Sequence, residues 1–279
     1  MADPEDFLYE ASEFLYGHGP VAPSSAGSLF THHPRNGGPS VTVMTPDTQT
    51  ANWSLHATSI WSAAIYVVDH IDDFCIGHHY DLIKHEGRPL RVLELGAGAG
   101  LPGIFIAKKY PHTMVTSSDY PDELLIRTLA ANAKRNDVED RCRVVPYAWG
   151  SDPAPLLQSQ NADSDPIPGF DVVIAADTLW NRDTHQDLVR SLQTTLKRCP
   201  HARIYVVAGL HTGRYVIHTF YKHALGIGLL PEELNERRVD ASKESQRLWW
   251  PDRADDLEDE PTRRRWVAWA VFKWARGAQ

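Results

Sequence analysis

Three cysteines, Cys75, Cys142 and Cys199, stand far apart in a chain of 279 residues. Few, scattered and odd in number, they suggest neither a disulfide framework nor a CxxC metal site, and they read as small buried hydrophobes. Long apolar runs are missing too. None approaches the roughly 20 residues that cross a bilayer, which excludes a membrane span. Met1 to Glu10 has neither the basic start nor the apolar stretch of a secretory signal, so a cytoplasmic protein is expected. Basic residues are in deficit, 28 Lys and Arg against 36 Asp and Glu, and the net charge is −8. That balance disfavours binding to nucleic-acid phosphates and suits a small molecule or a basic protein.

Catalytic and metal signatures are also absent. No G-x-S-x-G elbow occurs, which argues against an α/β-hydrolase. The 14 histidines include the adjacent pairs His32-His33 and His78-His79 but no HExxH spacing, so no metal is expected. His185 and His211, each following an apolar segment, are weighed as neighbours of an acceptor pocket against the commoner roles of cap or surface residue.

A composition of 42% hydrophobic and 23% charged residues is that of a globular chain. Residues 1–50 mix Gly, Pro, Ser, His and Thr without sustained period and are expected to form an irregular arm, in which Phe7, Leu8, Phe14, Leu15 and Tyr16 could dock as a short helix. Residues 51–279 form the domain. From Thr58 to Phe74 the apolar residues recur at helical spacing. Strand and helix then alternate: Val92 to Leu95, a helix from Leu101 to Lys109, Met114 to Ser118, a helix from Leu124 to Arg135, and Arg143 to Val145. Asp171 to Ala176, a helix from Asp183 to Leu196, Ala202 to Ala208, and a helix from Tyr215 to Leu225 continue the pattern. This alternation reads as a doubly wound, mostly parallel α/β sheet. Arg265 to Trp274 reads as a closing strand, preceded by an exposed acidic loop from Asp255 to Glu260. The short basic run Arg263 to Arg265 is taken as its solvated start.

The segment from Val92 to Gly103 places a glycine-rich turn after a buried strand and before a helix, where an open α/β sheet binds its ligand. A P-loop would require Gly-Lys-Ser/Thr, and Gly100 is followed by Leu101 and Pro102, which disfavours ATP and GTP. The dinucleotide fingerprint needs its third glycine at the position of Leu101, so NAD fits poorly. What remains, Glu94 two residues before Gly96, Gly98 and Gly100, resembles motif I of class I methyltransferases. A cationic sulfonium ligand suits an acidic, carbonyl-lined turn, whereas phosphate prefers the opposite polarity. Asp119, 19 residues after Gly100, is placed to accept hydrogen bonds from ribose hydroxyls. Tyr120 is a candidate flank for adenine, as is Trp149, which follows the third strand segment. Each has a plainer alternative: a bare turn aspartate and two packed aromatics.

With these residues in place the chain resembles the family 16 methyltransferases, the lysine-methyltransferase-like branch of class I, from about Ser59 to Leu230. The pieces that carry the likeness are Ile60 to Ile65, Val92 to Pro102, Ser118 to Asp122, Tyr147 to Gly150 and Ala176 to Asn181. The resemblance implies a Rossmann-like sheet of seven strands, mostly parallel with an antiparallel C-terminal strand, and S-adenosyl-L-methionine as cofactor. It implies that Trp61, Gly96, Ala97, Gly98, Asp119, Trp149 and Ala176 line that cofactor. Many protein-lysine members carry Asp-x-x-Tyr after the fourth strand. Here Asp177-Thr-Leu-Trp180 keeps an aromatic wall without a phenol, as nicotinamide-like members and those acting on the elongation factor's N-terminus can.

Methyl transfer from a sulfonium is an in-line displacement, so the expected work of the site is to hold an unprotonated amine opposite the leaving sulfur. Asp177 is expected to orient that amine and Trp180 to contact it through the ring face. Two acceptors stay open, a protein amine with elongation factor 1-alpha as leading candidate, and a small nitrogen-containing metabolite. A non-catalytic Rossmann-like partner subunit is the reading from another class.

Overall fold

The computed structural model describes residues 24–35, 37–158, 168–239, 246–251 and 258–275. The apolar cluster Phe7, Leu8, Phe14, Leu15 and Tyr16, and the acidic residues Asp255 and Asp256, lie outside the described residues. In chain order the elements are β1 (Leu29–His32), β2 (Val41–Met44), α1 (Ser62–Asp69), α2 (Ile76–Ile83), β3 (Leu90–Leu95), α3 (Leu101–Lys109), β4 (Thr113–Asp119), α4 (Glu123–Arg135) and β5 (Cys142–Pro146). They continue with α5 (Ala154–Leu157), β6 (Val172–Ala176), α6 (His185–Thr195), β7 (Arg203–Gly209), α7 (Arg214–Gly226), β8 (Leu229–Arg238), β9 (Gln246–Leu248), α8 (Glu260–Arg264) and β10 (Trp266–Trp274).

Alternation along each central strand divides the interior into two cores. Val92, Val172, Ile174, Tyr205, Val207 and Trp269 face α1, α2 and α3. Their neighbours Leu93, Val173, Ala175, Ile204, Val206 and Ala268 face α6 and α7. Strands with both faces buried must be apolar throughout, which is why the sequence shows them as continuous runs. The sheet order is β5-β4-β3-β6-β7-β10-β8-β9. The strands from β5 to β7 are parallel, and β10 runs antiparallel to both β7 and β8. The order reverses between β3 and β6, so the carboxyl ends of those two strands open the crevice that such sheets use for ligands.

Several local readings need correction. The sheet has eight strands rather than seven, because the three-residue β9 extends it. The helix expected from Thr58 to Phe74 breaks after Asp69 into a 3-10 turn over Ile71–Phe74. β8 was not legible: its LLPEELNERR lacks apolar alternation, and Pro231 sits where the ladder with β10 shifts register, a position that tolerates proline. Its acids are matched instead, Glu232 to Arg203 at 2.6 Å and Lys273 at 2.8 Å, and the buried Glu236 to the buried Arg214 at 2.6 Å. Glu258, expected in an exposed loop, is half-buried and bound by Arg214 and Arg247, and Arg263 and Arg264 belong to α8 rather than to the start of β10. Of the cysteines only Cys142 is buried; Cys75 is exposed.

The described part of the arm holds an antiparallel ribbon, β1 with β2. Four residues per strand are too few to register as a period, yet Val41 and Val43 are buried. The free edge of β2 is closed by side-chain amides of α4. Asn132 takes Met44 N and gives to Met44 O, both at 2.8 Å, and Asn136 does the same with Thr42 at 3.1 and 2.7 Å.

Candidate functional site

A cavity of about 300 Å³ opens at the carboxyl ends of β3, β4 and β6. Its floor is the turn after β3. Gly96, Gly98 and Gly100 have φ of 71°, 55° and 84°, a region that disfavours side chains. Both Gly96 N and Ala97 N donate to Ser118 O, at 2.9 and 3.0 Å, which ties the turn to β4. A Cβ on Gly96 would stand 2.8 Å from Thr178 Cγ2 and 3.1 Å from Trp149 Cζ2, so the missing side chain keeps the cradle clear. Gly100 does not line the cavity. A Cβ there would strike Leu129 of α4, which makes it a packing glycine at the start of α3.

Asp119 ends β4 with its carboxylate at the turn, where Oδ2 accepts from Gly98 N and Oδ1 from Tyr120 N, each at 2.6 Å. Burial pushes its carboxyl up to about 6, against the pull of those two N–H groups. Glu94, expected to face the ligand, does not line the cavity. Its Oε2 accepts from Ser117 Oγ at 2.8 Å and Gly103 N at 3.1 Å beneath the turn, and burial pushes its pKa up to about 8. Burial thus works against the charge that an acidic turn was expected to offer a cation. The physical reason is strand alternation: Leu93 and Leu95 fill one core, which sends Glu94 to the opposite face, under α3.

Asp177, Thr178 and Trp180 form the opposite rim, and Ala176, Trp149 and Tyr120 also line the cavity. Asp177 adopts φ 54°, rare for a residue with a side chain. Its Oδ1 accepts from Gly209 N at 2.7 Å and Oδ2 from Ala63 N of α1 at 3.5 Å. Burial raises its pKa, while His211, Gly209 N and Ala63 N oppose the rise. Thr178 Oγ1 is buried and has no hydrogen-bond partner among the described residues. The nearest wall is residues 54–61, ending in Trp61, whose Nε1 donates to His56 O at 2.8 Å. His211 stacks on Trp61 with centroids 5.6 Å apart, and His56 meets Trp180 edge-on at 5.0 Å.

Of the residues singled out from sequence, Trp61, Gly96, Ala97, Gly98, Asp119, Tyr120, Trp149, Ala176, Asp177 and Trp180 converge on one cavity; Glu94 and Gly100 stand behind it. His211 reaches the site through Trp61 and Asp177. His185 does not: it is buried in the core, its Nε2 against Leu179 O at 3.1 Å, and burial lowers its pKa. His56, Thr178 and Asp187 were missed. The pattern could have flagged Thr178, one residue past Asp177, but nothing in spacing separates His56 from the other histidines.

A profile of the lysine methyltransferase family matches residues 46–221. A protein N-terminal and lysine N-methyltransferase, EFM7, of Gibberella zeae is 30% identical to this chain over 251 residues, covering 86% of this chain and 84% of that protein. Proteins of the same description from Schizosaccharomyces pombe and Neurospora crassa are 32% and 31% identical, covering 55% of this chain in each case and 56% and 53% of their own length.

Proposed function

The chain belongs to the lysine methyltransferase family, as an enzyme that uses S-adenosylmethionine, and from that premise we propose that it methylates a protein amine, an N-terminus or a lysine, with elongation factor 1-alpha as the leading acceptor. The observation that carries this reading is one cavity in which the glycine turn and Asp119 stand on one side and Asp177 with Trp180 on the other.

The residues fit the cofactor. The charged side chains lining the cavity are Asp119, Asp177 and Asp187, with no lysine or arginine among them, which suits a sulfonium and an ammonium. The Thr178 hydroxyl, unpartnered among the described residues, calls for a polar ligand, and the absent side chain of Gly96 leaves the cradle between Thr178 and Trp149 clear. In this assignment Gly96, Ala97 and Gly98 let the backbone approach, Asp119 accepts from the ribose hydroxyls, and Trp149 and Tyr120 flank the adenine, while Trp61 and Ala176 close the cradle. Glu94 and Gly100 hold the turn in shape. The cofactor supplies a methyl group on a positively charged sulfur. Asp177, anchored by Gly209 N, accepts an N–H of the incoming amine, and the Trp180 ring excludes water beside it.

A cytoplasmic location accompanies this reading, because three free cysteines suit a reducing compartment. Among the described residues no helix is long and apolar enough to cross a membrane.

The test is incubation of purified elongation factor 1-alpha with the protein and methyl-tritiated S-adenosylmethionine, followed by peptide mapping. Label is expected on the N-terminal amine or a lysine. Asp177→Ala and Trp180→Ala should each lower it by about tenfold or more while calorimetry shows cofactor binding retained. Label confined to the small-molecule fraction of a lysate would sink the protein-amine reading.

A further inference from the structure

The acceptor's proton needs a destination. An amine arriving as an ammonium must lose a proton before its lone pair can attack. Asp177 is half-buried, and both of its oxygens already face backbone N–H groups. His211 lies on the far side of Trp61 and does not line the cavity. One imidazole does line it and also reaches solvent, that of His56.

His56 is held in place by its backbone. It sits at φ 52°, outside the regions most side chains occupy, at the end of the 3-10 turn Thr50–Leu55. Its N–H donates to Trp53 O at 3.2 Å, and its carbonyl takes Trp61 Nε1 at 2.8 Å. With both main-chain groups committed, the ring stands edge-on to Trp61 at 6.3 Å and to Trp180 at 5.0 Å, at the mouth between the two aromatic walls. A residue kept in a sparsely populated conformation beside a reactive site is a common mark of function.

We propose that His56 is the catalytic residue that takes the proton from the acceptor amine, a step that rests on the amine-acceptor reading above. The ammonium N–H bond breaks and its proton passes to an imidazole nitrogen. The freed nitrogen lone pair forms the bond to the methyl carbon as the carbon–sulfur bond breaks, its electron pair staying on sulfur. The imidazolium then releases the proton to water at the mouth. The charged groups that share the cavity are Asp119 from β4, Asp177 from the end of β6 and Asp187 from α6, with His211 across Trp61. Among the described residues that line the cavity there is no lysine or arginine to repel a protonated imidazole.

The experiment uses His56→Asn, since asparagine tolerates this backbone conformation. It needs two peptides of one sequence, one with a free N-terminus and acetylated lysine, the other with an acetylated N-terminus and free lysine. At pH 7 the variant should lose about 10- to 100-fold in kcat. Its rate should climb toward wild type as pH approaches the amine's own pKa. The loss should be larger on the lysine peptide, whose amine titrates about 2 pH units higher than an α-amine. In the wild-type protein the imidazole NMR signal that the variant lacks should shift when peptide is added, and calorimetry should give the two proteins equal cofactor affinity. A loss that is equal on both peptides and constant with pH, an unmoved imidazole signal, or weakened cofactor binding would each overturn the role. A wild-type protein that binds cofactor but methylates neither peptide overturns the amine-acceptor reading, and this step with it. Methylation that His56→Asn leaves untouched overturns this step alone.

Discussion

The two walls of the cavity are built by different means. The sheet wall consists of strand ends whose backbone is paired on both sides: Gly96 N and Ala97 N to Ser118 O, Asp177 N to Val207 O. The facing wall, residues 49–61, has no strand to lean on. It is fastened by a few side-chain bonds, chiefly through Asp122, whose Oδ2 takes Gln49 N at 3.0 Å and Asn52 Nδ2 at 2.7 Å. The same carboxylate caps α4, its Oδ1 accepting from Leu124 N and Leu125 N. The difference implies a division of labour. A rigid, pre-paired surface suits the glycine turn and Asp119, which meet a cofactor that is the same in every turnover, and a wall fastened by a few side chains, with His56 on it, suits the mouth through which an acceptor must come and go.

Three perturbations sharpen that contrast. The largest effect is expected on the sheet wall. Asp119→Ala removes the acceptor assigned to two ribose hydroxyls and frees Gly98 N, so cofactor affinity should fall by about 100-fold or more in calorimetry. An affinity within a few-fold of wild type would mean that the ribose is held elsewhere. Next comes Glu94. Its carboxyl, pushed up to about 8 from an ordinary value of 4.5, keeps a proton in the folded state that the unfolded chain releases. Its contribution is therefore neutral below about pH 4.5 and destabilising as pH rises toward 8. Glu94→Gln should remove this decline, gaining on the order of 3 kcal/mol relative to wild type between pH 5 and 8 in urea unfolding. Parallel pH profiles for the two proteins would show the carboxyl to be ionised throughout. The smallest effect is expected from the tether. Asp122→Ala loses a helix cap, about 1 kcal/mol, and should raise the acceptor KM several-fold with little change in cofactor affinity. A matching loss of cofactor affinity would erase the distinction between the walls.

The sheet wall was also the legible one. Glycines at Gly96 and Gly98 are demanded by backbone conformation, and an acid at Asp119 by its place at a strand end, so local chemistry leaves a trace in the residue types. Glu94 was expected at the cofactor, although a signal for its position behind the cavity was present: Leu93 and Leu95 on either side assign it to the other core. The facing wall left no such trace. Asp122 entered only as the end of the segment Ser118 to Asp122, and nothing local reveals that its second oxygen receives a segment more than 70 residues earlier. β8 was missed for a similar reason, since its strand character comes from its backbone ladder with β10, accompanied by ion pairs to β7 and β10, rather than from its own alternation. Tertiary partners, not propensity, decide such segments.

The amide pairs that Asn132 and Asn136 offer to β2 reach beyond packing. An unpaired strand margin is a template on which another chain can assemble. By imitating a neighbouring strand with two side chains, α4 fills that margin with groups that cannot be extended further, and so withholds this flank of the ribbon from recruitment into fibrillar or domain-swapped assemblies.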